Sequence, residues 1–418
     1  MIPDLHARLS STEELLTSRR ALYAMALEFL LPAGDPGDSG LALGPGMLDS
    51  PLLRFAVGRG LRTGHPLAPD LMDGVRELAD RHATFLDSPV QAIPVLSHPS
   101  AIDVFTTALQ IVDDGQGTAS FRTALDERHS ADVRRLQDGV DLARQLIPEL
   151  VADLLPHVAL VGFLDHPACS VRSASLREYP GLILLSSPSS PIEAAEMIVH
   201  ESAHQKLFDL GVVHDLLRPE SIECEAFMPP WRNAGTRWPI VQTLAAFHAY
   251  ACLAHLASKA GGLAQPDMLT ERSLLSVAHQ RATETGRWLI GRARFLGRDA
   301  RALVSGIMDE NPPLACAADD APRPTFRAVR VTVDPGLRIQ LDAAPDHVLV
   351  GRATPPHEFF FLDQDSGLIL SLLRKHQVAE TVATFAERRK IHPSDAESLI
   401  SALLPQLAEL SLISVGGR

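Results

Sequence analysis

Residues 191–210 read PIEAAEMIVHESAHQKLFDL, and this stretch contains the five-residue motif HESAH, from His200 to His204. In a helix, residues four apart lie on the same face, so the two imidazoles can bind one metal ion, with Glu201 close by. Ser190, Pro191 and Glu193 predict where the helix begins, because they supply an N-cap, a first-turn proline and the glutamate of a capping box. Apolar residues occur on nearly every side, which is typical of a helix buried inside a domain.

A simpler interpretation of the two histidines also exists. In many helices an H-x-x-x-H pair consists of buried, hydrogen-bonded core residues. The glutamate in second position and the buried, well-capped helix favour a metal site here. The motif identifies neither the metal nor the reaction.

The composition narrows the class of protein. The length of 418 residues predicts two domains. The composition, 46% hydrophobic and 21% charged, is typical of a globular protein. The net charge of −13 argues against a nucleic-acid-binding surface. No apolar run is long enough to span a membrane, and the N-terminus lacks the pattern of a signal peptide. The four cysteines form no C-x-x-C motif, so we expect reduced thiols and a cytoplasmic location.

The first part of the chain is predicted to be mainly helical. The stretch 32–51, rich in Gly and Pro, predicts a long loop, either a plain connector or a lid over a site. Short apolar runs predict strands at His157–Leu164 and Pro180–Ser187, the second leading into the HESAH helix. Helices are predicted at 12–31, 68–87, 100–113, 118–155 with a break near Pro148, 239–259, and 268–296 with a continuation to about 310.

A linker composition at Asn311–Thr325 separates this part from an alternating pattern. There, strands are predicted on both sides of residues 334–336 and at His347–Arg352 and Glu358–Leu362, followed by helices at about 364–374, 377–388 and 393–410. We therefore predict a mainly α fold with a small β element (α+β). It comprises a helical catalytic domain, 1–318, and a winged-helix-like α+β domain, 326–418.

A third metal ligand has two candidates. Glu223 lies 19 residues after His204, the spacing of a gluzincin-type zinc peptidase in which Glu201 would activate a bound water. The alternative is that ESIECE is simply an acidic, solvated segment. His248 lies on the next long helix, where it is either a ligand or a core histidine bonded to a backbone carbonyl. Arg232, in a Pro-Pro-Trp-Arg loop, is either a structural arginine or suited to binding a carboxylate in bidentate fashion.

Four linked segments resemble one known family. They are YPGLILLSS, MIVHESAHQKL, PPWRNAGTRWP and LAAFHAYACLAHL, and together they resemble the 2-oxoglutarate-dependent HExxH peptide β-hydroxylases of ribosomal natural-product clusters. The resemblance covers about residues 170–260 closely and the flanking helices loosely.

The resemblance implies a mononuclear Fe(II) oxygenase that uses 2-oxoglutarate and O2 to hydroxylate the β-carbon of a peptide residue. It assigns the metal to His200, His204 and a third protein ligand downstream, for which we choose His248, and the distal carboxylate of 2-oxoglutarate to Arg232, or else Arg237. Glu201 would then orient a ligand or water. One departure concerns the third histidine, which in many relatives lies slightly earlier on the helix, where this chain has Ala245 and Ala246.

The C-terminal segment EFFFLDQDSGLILSLLRKHQVAETVATF resembles the winged-helix peptide-recognition units of such enzymes. It implies that a leader peptide adds as a strand to a sheet edge. A domain that packs on the catalytic unit or mediates a homodimer is the alternative. The expected partner is thus a ribosomally synthesised precursor peptide. The alternative functions are a zinc metallopeptidase using Glu201 and Glu223, and a silent peptide-binding protein whose metal site has decayed.

Overall fold

A computed structural model shows that helices dominate the chain. It describes residues 2–31, 44–65, 67, 74–75, 84–88, 92–96, 105–112, 127–164, 172–233, 235–261, 273–308, 330–341, 347–353 and 357–416. The structure is 64% helical with 14% strand, so the predicted mainly α fold with a small β element is confirmed.

The chain divides into two compact units. The first consists of Met1–Leu16, Ala42–Ala56 and Pro69–Ala315, and the second of Thr17–Leu41, Val57–Ala68 and Cys316–Arg418. The change of unit at residues 315–316 falls within the predicted linker. The second unit also includes two segments from the N-terminal part of the chain. The predicted division into 1–318 and 326–418 places both of these segments in the first domain instead.

In the N-terminal three quarters, the helices whose bounds the described residues give are α1 (Ile2–Leu9), α2 (Thr12–Leu30), α3 (Pro45–Asp49), α4 (Pro51–Thr63), α5 (Thr106–Val112), α6 (Glu127–Leu146), α7 (Pro148–Leu154), α8 (Pro191–Val213), α9 (Ile240–Ala260), α10 (Ala278–Ile290) and α11 (Arg298–Ile307). The break predicted near Pro148 separates α6 from α7 and is confirmed. Helix α10 begins about ten residues later than predicted. Most of the predicted loop 32–51 lies outside the described residues, and its last part contains α3.

One five-stranded sheet lies in the first unit. Its strands are β1 (Thr84–Asp87), β2 (Ala92–Leu96), β3 (Leu160–Phe163), β4 (Ser173–Ser175) and β5 (Leu182–Leu185), in the order β1-β2-β3-β5-β4. Strands β2, β3 and β5 are parallel, and the two edge strands are antiparallel to their neighbours. The two predicted strands are confirmed as β3 and β5. The helix predicted over 68–87 is wrong at its end, because residues 84–87 pair with β2.

The HESAH helix, α8, packs closely on α6 and on this sheet. At Gly139 of α6, an added Cβ would lie 2.5 Å from the Cβ of Ala194, so only glycine permits this approach. On the sheet side, Gly181 N donates to Gln205 Oε1 at 2.6 Å, and Gln205 Nε2 donates to Leu182 O at 2.8 Å. These bonds fix the side chains of α8 relative to β5.

The second unit contains a small α+β core. Its C-terminal elements are β6 (Arg330–Val333), β7 (Leu337–Gln340), β8 (His347–Arg352), β9 (Phe359–Asp363), α12 (Gln364–Leu373), α13 (Val378–Arg389), α14 (Pro393–Glu409) and β10 (Ile413–Gly416). Strands β7, β8 and β9 form one antiparallel sheet, whereas β6 pairs with β10. The two strands around residues 334–336 therefore belong to different sheets.

Helix α9 is 21 residues long and mostly apolar. By these two criteria alone it is a candidate membrane span, and 72% of its most apolar window is buried within the structure. Such burial is typical of the core helix of a globular protein.

Candidate functional site

Helix α8 begins as the sequence predicts. Glu193 N donates to the Oγ of the N-cap Ser190 at 3.3 Å, and Pro191 occupies the first turn. In a standard capping box the glutamate side chain accepts from the backbone N–H of the N-cap residue. Here Glu193 instead accepts from the residue before the N-cap, Ser189 N, at 2.8 Å. The helix start is therefore fixed from both sides.

One face of α8 lines a cavity. Within the fully described stretch Ala194–Leu210, every residue is buried except His200, His204 and Phe208, which are spaced four apart. All three line a cavity of about 500 Å³. The HESAH helix is thus a core helix with a single row of side chains open to a chamber.

Buried polar side chains on the other faces of α8 connect it to its neighbours. Asp209 accepts from Arg54 at 2.5 Å and contacts His157 Nδ1 at 2.6 Å. Glu196 accepts from Arg172 at 2.6 Å and from the backbone of Leu274 at 2.8 Å. Because such bonds are costly to leave unmade, they hold the orientation of the cavity face.

The two histidines have the geometry of a chelating pair. Their Nε2 atoms lie 3.2 Å apart, within the roughly 3.0–3.4 Å that separates two adjacent nitrogens bound at about 2.1 Å to one ion. Burial lowers the pKa of His204 to about 4 and that of His200 well below its ordinary value. Both imidazoles are therefore neutral at pH 7. Neither Nδ1 has a hydrogen-bond partner among the described residues.

Glu201 lies in the same cavity with its carboxyl group buried. Its side chain is 2% exposed, with Oε1 4.0 Å from His200 Nε2 and Oε2 without a partner among the described residues. Burial raises the pKa of Glu201 to about 7, although hydrogen bonds from Ser173 and Ser175 oppose the shift. A carboxyl group with this pKa can accept or release a proton near neutral pH.

The two candidate arginines have different positions. Arg232 lines the cavity together with the two histidines, and Arg237 does not. The side chain of Arg232 is exposed, and its loop packs through Trp231 against the aromatic residues Trp238 and Tyr250, with ring centroids 6.1 Å apart in both pairs. Arg232 can therefore meet an anionic group that enters the chamber.

His248 points away from the pair. Its Nδ1 donates to the backbone oxygen of Ala203 at 3.0 Å, and its Nε2 lies 2.7 Å from Nε2 of His6. Both ring nitrogens are thus engaged, and His248 does not line the cavity. This corrects the expectation of a third ligand at this position: the arrangement matches the alternative, a core histidine bonded to a backbone carbonyl.

Glu223, the other candidate, is exposed at the end of a short 3-10 turn, Pro219–Glu223, and lies outside the cavity. The positions of α9 that do line the cavity are Gln242, Ala245, Ala246 and Tyr250, among others. Alanine therefore occupies the place where the resemblance led us to expect a histidine. Among the described residues, no group of three His, Cys, Asp or Glu side chains could hold a metal ion.

Sequence reasoning missed several residues of the chamber. Tyr250 and Gln242 lie one turn either side of Ala245 and Ala246, and Ser173 and Ser175 come from β4. The Tyr250 hydroxyl accepts from Arg281 at 3.3 Å. The spacing of residues 242, 246 and 250 is a helical repeat, but α9 is buried on most sides, so the sequence does not distinguish the cavity face.

Comparison with known proteins adds no assignment. No family model matches the chain, and no curated protein is significantly similar to it.

Proposed function

We propose that this protein is an Fe(II)/2-oxoglutarate-dependent oxygenase that hydroxylates the β-carbon of a residue in a ribosomally synthesised precursor peptide. The single observation that carries the proposal is the position of Arg232, which lines the same chamber as His200 and His204, whereas Glu223 lies outside it. An arginine in the same chamber as a metal-binding pair is suited to binding one carboxylate of a dicarboxylate cosubstrate. A zinc peptidase of gluzincin type instead needs the carboxylate of Glu223.

The residues present fit an iron ion held by two imidazoles. His200 and His204 are neutral, with their Nε2 atoms 3.2 Å apart. Arg232 would bind the distal carboxylate of 2-oxoglutarate. Iron with this cosubstrate and O2 would supply the oxidising power that places a hydroxyl group on carbon. Glu201, Gln242 and Tyr250 are among the polar side chains of the same chamber that could complete the surroundings of the ion.

A second candidate function is zinc-dependent peptide hydrolysis. The specific observation in its favour is Glu201, whose pKa of about 7 and position beside His200 suit a general base. This candidate no longer includes Glu223 as a ligand. It would use the two histidines with a ligand other than the one predicted from spacing.

The second unit is proposed to recognise the leader part of the precursor peptide, as the winged-helix-like resemblance implies. The enzyme would work in the cytoplasm, without nucleic-acid or membrane partners, and as a monomer or homodimer. These assignments depend on the proposed function.

Titration of 2-oxoglutarate into the Mn(II)-loaded protein tests the proposal, because Mn(II) occupies such sites without turnover. We expect heat of binding that disappears in metal-free protein and in His204→Ala. No binding to the metal-loaded wild type, together with zinc retained by the protein as purified, would favour the hydrolase.

A further inference from the structure

The strand β4 forms one edge of the sheet in the first unit. It pairs with β5 on one side only, with Ser173 opposite Leu185 and Ser175 opposite Ile183. It is the last strand in the sheet order, so no strand among the described residues pairs with its outer side. An uncovered edge of this kind is a template for another extended chain.

The main-chain groups of β4 alternate in direction. Ser186 N donates to Arg172 O at 2.8 Å, so the main chain of Arg172 points toward β5. In an antiparallel ladder the residues two apart share this direction, so Ala174 also points toward β5. The N–H and C=O groups of Ser173 and Ser175 therefore point to the outer side, where they have no backbone partner among the described residues.

This free edge borders the metal-binding chamber. Ser173, Ala174 and Ser175 line the same cavity as His200 and Glu201. Ser175 Oγ donates to the Glu201 backbone oxygen at 3.1 Å, which places the side chain of Ser175 on the face of the sheet that carries Glu201. In addition, the buried Glu201 Oε2 has no partner among the described residues. The edge and the chamber thus form one continuous surface.

We propose that β4 binds the core segment of the peptide substrate as an added strand, through the main-chain groups of Ser173 and Ser175. Two donor and acceptor pairs about 6.8 Å apart match the two-residue repeat of an extended chain. An edge of three residues is too short to hold two copies of the protein together. The occupant is therefore a peptide that gains the rest of its affinity from a side chain in the chamber.

The register selects which residue is modified. Side chains directly opposite one another on paired strands lie on the same face. Peptide residues opposite Ser173 or Ser175 therefore project toward the face that carries Glu201, and the residue opposite Ala174 projects away. The modified residue is one of the two that pair with the serines. This assignment rests on the proposed function, whereas the strand addition does not.

The test uses the full-length protein loaded with zinc and no 2-oxoglutarate, so that binding is measured without chemistry. A random library of blocked seven-residue peptides is passed over the protein, and retained sequences are identified by mass spectrometry. The best binder is then resynthesised with single N-methyl groups. We expect about tenfold weaker binding at two positions spaced two apart and little change at the position between them. No retained peptide, or equal tolerance at every position, would overturn the proposal.

Two measurements on the protein complete the test. Amide hydrogen exchange of the wild type should slow at Ser173 and Ser175 when the peptide binds, whereas Ala174, which already pairs with β5, should be slow throughout. Ser175→Pro removes the outward N–H and should weaken binding about tenfold more than Ser175→Ala, which keeps the N–H and loses only the hydroxyl group that bonds to Glu201. If, without any peptide, the amide groups of Ser173 and Ser175 exchange more slowly as the protein concentration rises, the edge pairs with a second copy of the protein. That result would overturn the assignment of a peptide.

Failure of this inference is distinguishable from failure of the proposed function. Peptide binding with the expected N-methyl pattern, but no 2-oxoglutarate binding, would leave the strand addition intact and remove the oxygenase. Metal-dependent 2-oxoglutarate binding without protection of Ser173 and Ser175 would leave the oxygenase proposal intact and remove the strand addition.

Discussion

The Nε2 atoms of His6 and His248 lie 2.7 Å apart, although 242 positions separate the two residues in the sequence. His248 in turn donates from Nδ1 to the backbone of Ala203, and His6 Nδ1 contacts Asp153 at 2.5 Å. The N-terminal helix α1 is therefore connected through two imidazoles to the turn of α8 that carries His204. This relationship makes His248 a structural residue of the site.

Replacement of His248 should therefore affect folding more than metal binding. His248→Ala leaves the buried His6 nitrogen and the Ala203 carbonyl without their partner, so we expect the free energy of unfolding to fall by about 2–4 kcal/mol. The folded fraction should still bind one metal ion. Denaturant unfolding and metal titration measure the two effects, with His255→Ala on the same helix as the control. Loss of metal binding with unchanged stability would restore His248 as a ligand.

Arg232 and Arg237 form a matched pair for cosubstrate binding. Because only Arg232 lines the cavity, Arg232→Ala should weaken 2-oxoglutarate binding to the metal-loaded protein by about 10- to 100-fold. Arg237→Ala should bind it as wild type does. Calorimetric titration measures both affinities, and a larger effect at Arg237 would contradict the assignment.

Glu201→Gln separates the two candidate enzymes. In the oxygenase no hydrolytic base is needed and Glu201 only orients a ligand or water, so the Fe(II)-loaded variant should lose no more than about 10- to 100-fold in succinate formation. In a zinc hydrolase the same change should cost about 10²–10⁴-fold in peptide cleavage. His204→Ala serves as the inactive control in both assays. Complete loss of succinate formation in Glu201→Gln would count against an orienting role for Glu201.

The raised pKa of Glu201 also predicts how the stability of the metal-free protein depends on pH. The pKa of Glu201 is about 7 in the folded protein and 4.5 ordinarily. Between pH 4.5 and 7 the folded state therefore binds a proton on Glu201 that the unfolded state has released. The free energy of unfolding contributed by Glu201 should therefore fall as pH rises from about 4.5 to 7 and stay constant above, by at most about 3 kcal/mol.

This contribution appears in the difference between wild type and Glu201→Gln, since His200 and His204 titrate in both proteins. Denaturant unfolding at several pH values from 4.5 to 8.5 supplies the difference. A difference that does not change with pH would show that Glu201 is ionised in the folded protein across this range.

Local signals allowed much of this structure to be predicted. The capping residues Ser190, Pro191 and Glu193 place the start of α8, and the pattern of α12 to α14 predicts their bounds within about two residues. The four-residue spacing of the two histidines brings their Nε2 atoms together. Each of these features depends on residues within one or two turns of each other.

Features that depend on distant residues were not predicted. Strand β1 forms because it pairs with β2, which in turn pairs with β3. The sequence of β1 is a short apolar run, which by itself is as compatible with the end of a helix as with a strand. His248 lies on a helix buried on most sides, so its direction is decided by His6, at the other end of the domain. The outer edge of β4, which no strand in the described part of the chain pairs with, likewise becomes apparent only once the strand order is known.

The oxygenase proposal is tested most directly by anaerobic addition of Fe(II) and then 2-oxoglutarate to the purified metal-free protein, followed by visible absorption spectroscopy. We expect a metal-to-ligand charge-transfer band that requires both additions, is absent in His200→Ala and His204→Ala, and needs more 2-oxoglutarate in Arg232→Ala. No band in a folded wild-type protein that binds zinc tightly would contradict the oxygenase and leave the hydrolase as the function of this site.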